Sequence, residues 1–281
     1  YFLNKKIICY GGKNFTQYIR QYRKSSVSHK GNFFQYKSNF KKITNKQTCV
    51  NLSKKLLKKR FEGKLGRQEF YMKNSAFSKN IVKLKKIDCI IFLPDFVDSP
   101  HIRTKIIFYD FHDWIIKTLD YLRRKNYNKE YIVAIKTHPN SKFSNVQFQN
   151  KLRKIYPDFY WINESISNKS IYEQKPYFGL SPDGTPIIEM SYKKVRAISS
   201  GTSPFCSFNF FYTPKNQKEY FKYIDLGFQK KLNKKINLYD VYANFYMHNL
   251  YNNDCIDNLS RKIDLKSLMI YAETSKFLKK S

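Results

Sequence analysis

The sequence predicts an α/β fold, a parallel sheet covered by helices on both faces. Three observations predict it. First, the stretches 87–93, interrupted by Asp88, and 131–135 are apolar runs of strand length, as expected of strands buried on both sides. Second, stretches with helical spacing alternate with them; 114–124 carries apolar residues at 114, 115, 116, 119 and 122. Third, turn formers and reactive polar residues follow the strands directly, at Pro94, Pro139, Gly184 and Gly201. Ligands of such sheets bind at the carboxyl ends of the strands.

Taken in order, residues 1–80 are polar and basic with weak periodicity. A short strand is expected over 7–10, then Gly11-Gly12, then a helix over 14–24. A second helix is expected over 52–61, with apolar residues at 52, 56, 57 and 61 and Gly63 and Gly66 behind it. From residue 81 the pattern sharpens. The strand over 87–93 stops at Pro94, and the helix over 114–124 has Asp113 as its expected N-cap. Further strands are expected over 131–135, 159–162, 177–180 and 195–199. Helices are expected over 146–156, 168–174, 185–192, 217–224 and 238–251. This alternation implies βαβ crossovers and a Rossmann-like parallel sheet in 81–281. Residues 1–80 read as a partial N-terminal domain or a basic helical segment. The chain begins with Tyr1, so it is expected to be a fragment or a mature form.

The formal net charge is +32, from 53 basic and 21 acidic residues. Such an excess ordinarily points to nucleic acid, an anionic membrane or acidic ligands. Here the basic residues are overwhelmingly Lys, and Asn, Ile, Tyr and Phe are abundant too, a composition that an AT-rich genome produces unaided. Arg, the better reader of bases and phosphates, is scarce. Nucleic acid is therefore the lesser expectation, with 13–60 the stretch where basic and aromatic residues interleave best. The five cysteines, at 9, 49, 89, 206 and 255, are odd in number and widely spaced, which supports neither a zinc site nor a disulfide framework. A reducing, cytoplasmic compartment is expected. No run reaches the roughly 18–20 apolar residues of a spanning helix.

Three segments carry chemistry. Lys136-Thr137-His138-Pro139-Asn140 follows a strand; the His138 imidazole can donate to a phosphate oxygen, and Lys136 adds charge. Asp183-Gly184-Thr185-Pro186 opens a helix: Gly184 permits close backbone approach, Thr185 can cap the helix, and Pro186 suits its first turn. A helix start is an anion site, and Glu189, one turn in, can reach a ribose. Ser199-Ser200-Gly201-Thr202-Ser203 supplies small hydroxyl groups after another strand. Each segment alone also reads as an ordinary turn. The aromatic run 205–212, Trp114 and Trp161 read as packing groups, and the Lys runs 54–59 and 229–235 as solvated helix faces.

In order and spacing, these segments resemble bacterial surface and capsular polysaccharide biosynthesis proteins of the GT-B glycosyltransferase-like type. The resemblance covers roughly 87–225. It rests on Phe92-Leu93-Pro94-Asp95-Phe96-Val97-Asp98-Ser99-Pro100-His101, Asp113-Trp114-Ile115-Ile116-Lys117-Thr118-Leu119, Ile135 to Ser141, Gly184 to Met190, and Ala197-Ile198-Ser199-Ser200-Gly201. It implies a nucleotide-sugar donor as substrate, a glycan or lipid-linked acceptor, and no cofactor or bound metal; no Asp-x-Asp motif occurs. It further implies that His138, Lys136, Gly184, Thr185, Ser200 and Gly201 bind the donor phosphates. Glu189 would bind the ribose, and Asp98 or Asp95 would act as catalytic base. Peripheral contact of surface Lys with anionic lipid would fit that role. The tight Gly-Lys-Pro-Val turn common after the Glu helix is here Lys193-Lys194-Val195-Arg196-Ala197, which is expected to remove it. A catalytically silent relative and a basic RNA- or DNA-binding protein are the competing expectations.

Overall fold

A computed structural model describes residues 7–12, 17–22, 32–62, 81–96, 106–138 and 143–251. Near the start, β1 (Ile7–Gly12) and β2 (Gln17–Tyr22) pair antiparallel, with Ile7 opposite Tyr22 and Gly12 opposite Gln17. The helix expected over 14–24 is thus a strand from Gln17 onward. Tyr18, Ile19 and Tyr22 are aromatic or β-branched residues, which favour a strand. Gly11-Gly12 belongs to a hairpin, not to a strand-to-helix turn.

Two helices follow, α1 (Tyr36–Lys41) and α2 (Lys46–Phe61). The helix expected from residue 52 starts at Lys46, because Cys49, Val50, Ser53, Leu57, Arg60 and Phe61 form one buried stripe. The α/β core then runs β3 (Cys89–Phe92), α3 (Phe111–Arg124), α4 (Tyr127–Glu130), β4 (Val133–Lys136), α5 (Phe143–Ile155) and β5 (Tyr160–Ile162). It continues with α6 (Asn168–Glu173), β6 (Phe178–Leu180), α7 (Thr185–Tyr192), β7 (Arg196–Ile198), α8 (Gln217–Phe228) and α9 (Leu238–Asn249).

The five strands β3–β7 form one sheet in the order β5-β4-β3-β6-β7, and every pair is parallel. The chain lays β3 at the centre, steps outward through β4 to β5, returns to place β6 on the other side of β3, and ends at β7. The strand order reverses between β3 and β6, which in an open α/β sheet leaves a crevice at their carboxyl ends. The outer side of β7 is covered by one further residue: Tyr212 accepts from Ser199 N at 3.0 Å and donates to Ala197 O at 2.9 Å.

Successive strand residues point to opposite faces, and each face has its own core. Ile90, Phe92, Ala134 and Ile162 pack with α1, α2, α7, α9 and the buried aromatics Phe205, Phe208, Phe210 and Phe211. Cys89, Ile91, Val133 and Ile135 pack with α3, α5 and α8. On that second face Trp114 is fully buried, a burial contributing roughly 1.5–3 kcal/mol on the scale of other large apolar side chains. Its indole N–H donates to Tyr220 Oη at 2.8 Å, which ties α3 to α8.

Two local expectations are corrected. The N-cap of α3 is Asp110, whose carboxylate accepts from Asp113 N at 2.7 Å; Asp113 sits inside the first turn, where it pairs with Lys117. The turn after α7 is tight despite lacking glycine. Lys194 takes φ +60°, and Val195 N closes onto Met190 O at 2.8 Å. A lysine there carries the left-handed strain that glycine avoids. Among the described residues, no helix is long and apolar enough to cross a membrane.

The sheet and α7 meet at Gly179 in β6. A Cβ there would collide with Met190 Sδ and stand 2.7 Å from Ile90 Cγ2 and 2.9 Å from the Ile90 carbonyl oxygen. Gly179→Ala is therefore expected to destabilise the protein by about 1–3 kcal/mol through overpacking. A lowered urea midpoint with unchanged m-value is the readout; an unshifted midpoint would mean that α7 can lift from the sheet freely.

Candidate functional site

The carboxyl edge of the sheet gathers the loops that follow β3, β4, β6 and β7. After β3, Leu93 N is held by Lys136 O at 2.9 Å, and Pro94, Asp95 and Phe96 follow. Asn145, buried in α5, fastens this loop: its Oδ1 accepts from Phe96 N at 2.9 Å and its Nδ2 donates to Asp95 Oδ1 at 2.6 Å. Asp95 is half-buried at the switch point with its carboxylate oriented. Phe96 stacks near His112 and Phe148, with ring centroids 4.9 and 4.7 Å away. The other expected base, Asp98, lies outside the described residues, as does His101.

At the end of β4, Lys136 is 2% exposed and its ammonium turns to the neighbouring strand exit. Nζ donates to the carbonyls of Asn163 at 2.9 Å and Glu164 at 2.6 Å. Lys136 thus braces the loop after β5. Burial lowers its pKa to about 8, against a smaller opposing effect of Glu164. Thr137 is also buried, and its Oγ1 makes no hydrogen bond among the described residues. His138 comes next and is half-buried at the same edge.

After β6 the chain enters α7 through Gly184, which takes φ +89° and serves as the helix N-cap position. A Cβ at Gly184 would meet only Pro186 Cδ at 3.6 Å, so conformation and not space demands glycine. Thr185 is the first helical residue and not the cap. The loop supplies its own acid: Asp183 Oδ1 accepts from Gly184 N at 2.6 Å, and Ser181 Oγ donates to Asp183 O at 2.8 Å. After β7, Ser200 is fully buried; its amide and its hydroxyl both point to Pro182 O, the latter at 3.2 Å. Gly201 pairs with Ile106 in an isolated bridge. Ser200 therefore fixes the β6 and β7 loops to each other.

Glu189 departs furthest from expectation. It is 2% exposed, and Arg60 of α2 donates Nε to Glu189 Oε1 at 3.1 Å while Asn168 of α6 donates to Oε2 at 3.1 Å. A second Arg60 nitrogen lies 3.5 Å from Thr185 Oγ1. The cavity beside this group, bounded by Arg60, Thr185, Glu189 and His248, measures about 10 Å³, room for one water and not for a ribose. Burial, and then the Glu189 charge, push the Tyr172 phenol well above its ordinary pKa. Arg60, Asn145 and Asn168 escaped the sequence reading. Arg60 alone left a signal, as the basic residue of the 54–60 run that falls in phase with buried Val50, Ser53 and Leu57.

His138, Gly184 and Ser200 thus share one edge of one sheet. Of the expected phosphate and ribose ligands, Lys136, Ser200 and Glu189 make internal hydrogen bonds, the Gly184 amide is met by Asp183, and Thr185 is approached by Arg60.

Breaking the Arg60–Glu189 pair from one side strands a buried charge. Glu189→Ala is expected to cost about 3–5 kcal/mol in urea unfolding, and the double replacement Arg60→Met with Glu189→Leu much less. Equal losses would show that the pair is not coupled. Lys136 sets a pH dependence. Its folded pKa, about 8, lies below the ordinary lysine value, so between these values the unfolded chain binds the extra proton. Stability therefore rises from about pH 8 to about pH 10 and falls as the pH drops through 8. Lys136→Met is expected to flatten that rise in unfolding curves; an unchanged rise would assign it to other groups.

No protein-family model matches this chain, and neither a curated protein nor a solved structure matches it significantly.

Proposed function

We propose that this chain is a glycosyltransferase-like protein of surface polysaccharide biosynthesis that engages a nucleotide-activated sugar at the carboxyl edge of its sheet. One observation carries the reading. The strand order reverses between β3 and β6, and the turn leaving β6 there is a positive-φ glycine opening a helix, the arrangement suited to a phosphate. In this reading the backbone around Gly184 and Thr185 and the His138 imidazole hold the diphosphate. Charge that develops on the departing phosphate is met by these preorganised donors, without a bound metal. Asp95, oriented by Asn145, takes the proton of the acceptor hydroxyl as its oxygen attacks the anomeric carbon. The acceptor is a glycan or a lipid-linked glycan, and the protein works in the cytoplasm. Exposed lysines of α1 and α2, among them Lys37, Lys41, Lys54, Lys55, Lys58 and Lys59, supply attraction to an anionic membrane face.

A specific observation favours a second reading, a relative that has kept the fold without turnover. Asp183 already sits on the Gly184 amide, and Glu189, Lys136 and Ser200 are engaged in internal contacts. Calorimetric titration with UDP, GDP, CMP and their sugar conjugates, followed by a donor-hydrolysis assay, separates the two. The transferase reading expects binding weakened at least tenfold by His138→Ala, together with turnover that Asp95→Asn lowers in kcat with little change in KM. Binding without turnover supports the silent relative. Absence of nucleotide binding, with steeply salt-dependent RNA binding instead, would overturn both.

A further inference from the structure

The positive charge of this chain is unevenly placed. The first 61 residues hold 16 Lys and Arg and no Asp or Glu, so half of the net charge of +32 stands on about a fifth of the sequence. An AT-rich genome supplies lysine codons, but it supplies those of aspartate and glutamate too, so base composition does not account for the missing acids. A charge asymmetry of this kind marks a surface for an anionic partner.

The described part of the segment shows where that charge goes. α1 buries Tyr36 and Phe40, and α2 buries Cys49, Val50 and Leu57, all in the core on one face of the sheet. The other sides of the two helices are exposed and built alike. Phe34, in the short helical turn Asn32–Gln35 that leads into α1, is followed by Lys37 and Lys41 at i+3 and i+7. Leu52 in α2 is followed by Lys55 and Lys59 at the same spacing. Residues so spaced share one stripe of a helix. Phe34 is 59% exposed and Leu52 42%, so each lysine stripe is headed by a large apolar side chain in solvent. Beside the second stripe stand Lys54 and Lys58, also exposed. Lys58 and Lys59 suit the carboxyl end of the helix dipole, but each lies one turn from another lysine, and like charges at that spacing repel. An anionic partner relieves the repulsion.

Nucleic acid and an anionic bilayer both attract lysine. Phosphates and bases are read best by Arg and by stacked aromatic rings. The Arg of α2, Arg60, is spent on Glu189 in the core, and Leu52 has no ring to stack. A bilayer asks for what the two stripes present, long flexible cations at headgroup depth with apolar side chains beside them to enter the acyl boundary.

We infer that the exposed sides of α1 and α2 form a docking face for an anionic phospholipid bilayer, with Phe34 and Leu52 inserted at the interface and the lysines on lipid phosphates. The inference deepens the membrane contact of the proposed function and rests on that reading for the membrane. Its test uses no nucleotide or sugar, so either can fail without the other.

The test is co-sedimentation of the full chain with vesicles of phosphatidylcholine containing about 40% phosphatidylglycerol, and with phosphatidylcholine alone. In about 0.1 M salt the chain is expected to bind the mixed vesicles and leave the neutral ones. Exchanging Lys54, Lys55, Lys58 and Lys59 together for Gln is expected to weaken binding about tenfold or more, since each lysine near the surface contributes roughly fivefold. The same exchange at Lys215, Lys218, Lys222 and Lys231, exposed on and beside α8 over the other face of the sheet, removes equal charge and is expected to weaken binding less than about threefold. Phe34→Ser with Leu52→Ser is expected to weaken it about fivefold or more without altering its salt dependence. All of these side chains are exposed, so the variants keep the fold, which circular dichroism checks. No binding to the mixed vesicles, equal losses from the two lysine sets, unchanged binding of the Phe34 and Leu52 variant, or tighter binding to polyuridylate RNA through the same α2 lysines would overturn the inference.

Discussion

One buried ion pair organises this molecule. Arg60 and Glu189 come from helices 129 residues apart in the chain, and each is 2% exposed. Neither charge tolerates burial alone, so α2 cannot leave α7 without stranding both. That requirement fixes the basic segment before the α/β core onto one face of the sheet. It also holds the first turn of α7, because the same guanidinium reaches Thr185. Asn168 adds α6 to the same group. Three helices and the loop leaving β6 are therefore referenced to one carboxylate.

The carboxyl edge follows the same economy, in which polar side chains mostly bind backbone. Lys136 bonds the carbonyls after β5, Ser200 the carbonyl of Pro182, and Asn145 the loop after β3. Loops that leave a parallel sheet abandon its hydrogen-bond ladder and need such partners. The same edge carries His138, Asp95 and the Gly184 turn, on loops whose neighbours are locked. Rigid presentation of a few groups is what a ligand site requires.

The parallel sheet was legible because strands buried on both faces write themselves as largely apolar runs; 87–93, with Asp88 its one charged residue, stops at Pro94, and 131–135 stops at Lys136. Helix identities from α3 onward, except the short α4 that was not expected, were legible for the matching reason, their apolar spacing. The hairpin was not, since Gln17–Tyr22 carries no apolar alternation. The cap of α3 was misassigned because Asp110 and Asp113 are both acids one turn apart, and backbone geometry alone tells them apart. The loops at the carboxyl edge were legible as a place, and the contacts within them were not. Glu189 sits where a ribose ligand would, but its partner arrives from α2, and no local pattern announces a long-range ion pair. Lys136 misled in the same way: the residue type suits an anion, while the carbonyls that claim it belong to the next strand.

The two margins of the sheet are finished differently. β7 is closed by the Tyr212 backbone, whereas the outer side of β5 has no strand beside it among the described residues. An open margin is a template on which a foreign strand can grow. Here it is only three residues long, and Arg153 lies over the Trp161 ring while Lys85 lies over Tyr160. Brevity and flanking cations discourage edge-to-edge stacking, so a chain this rich in aromatic residues is guarded against fibrillar self-assembly at this flank of the five-stranded sheet.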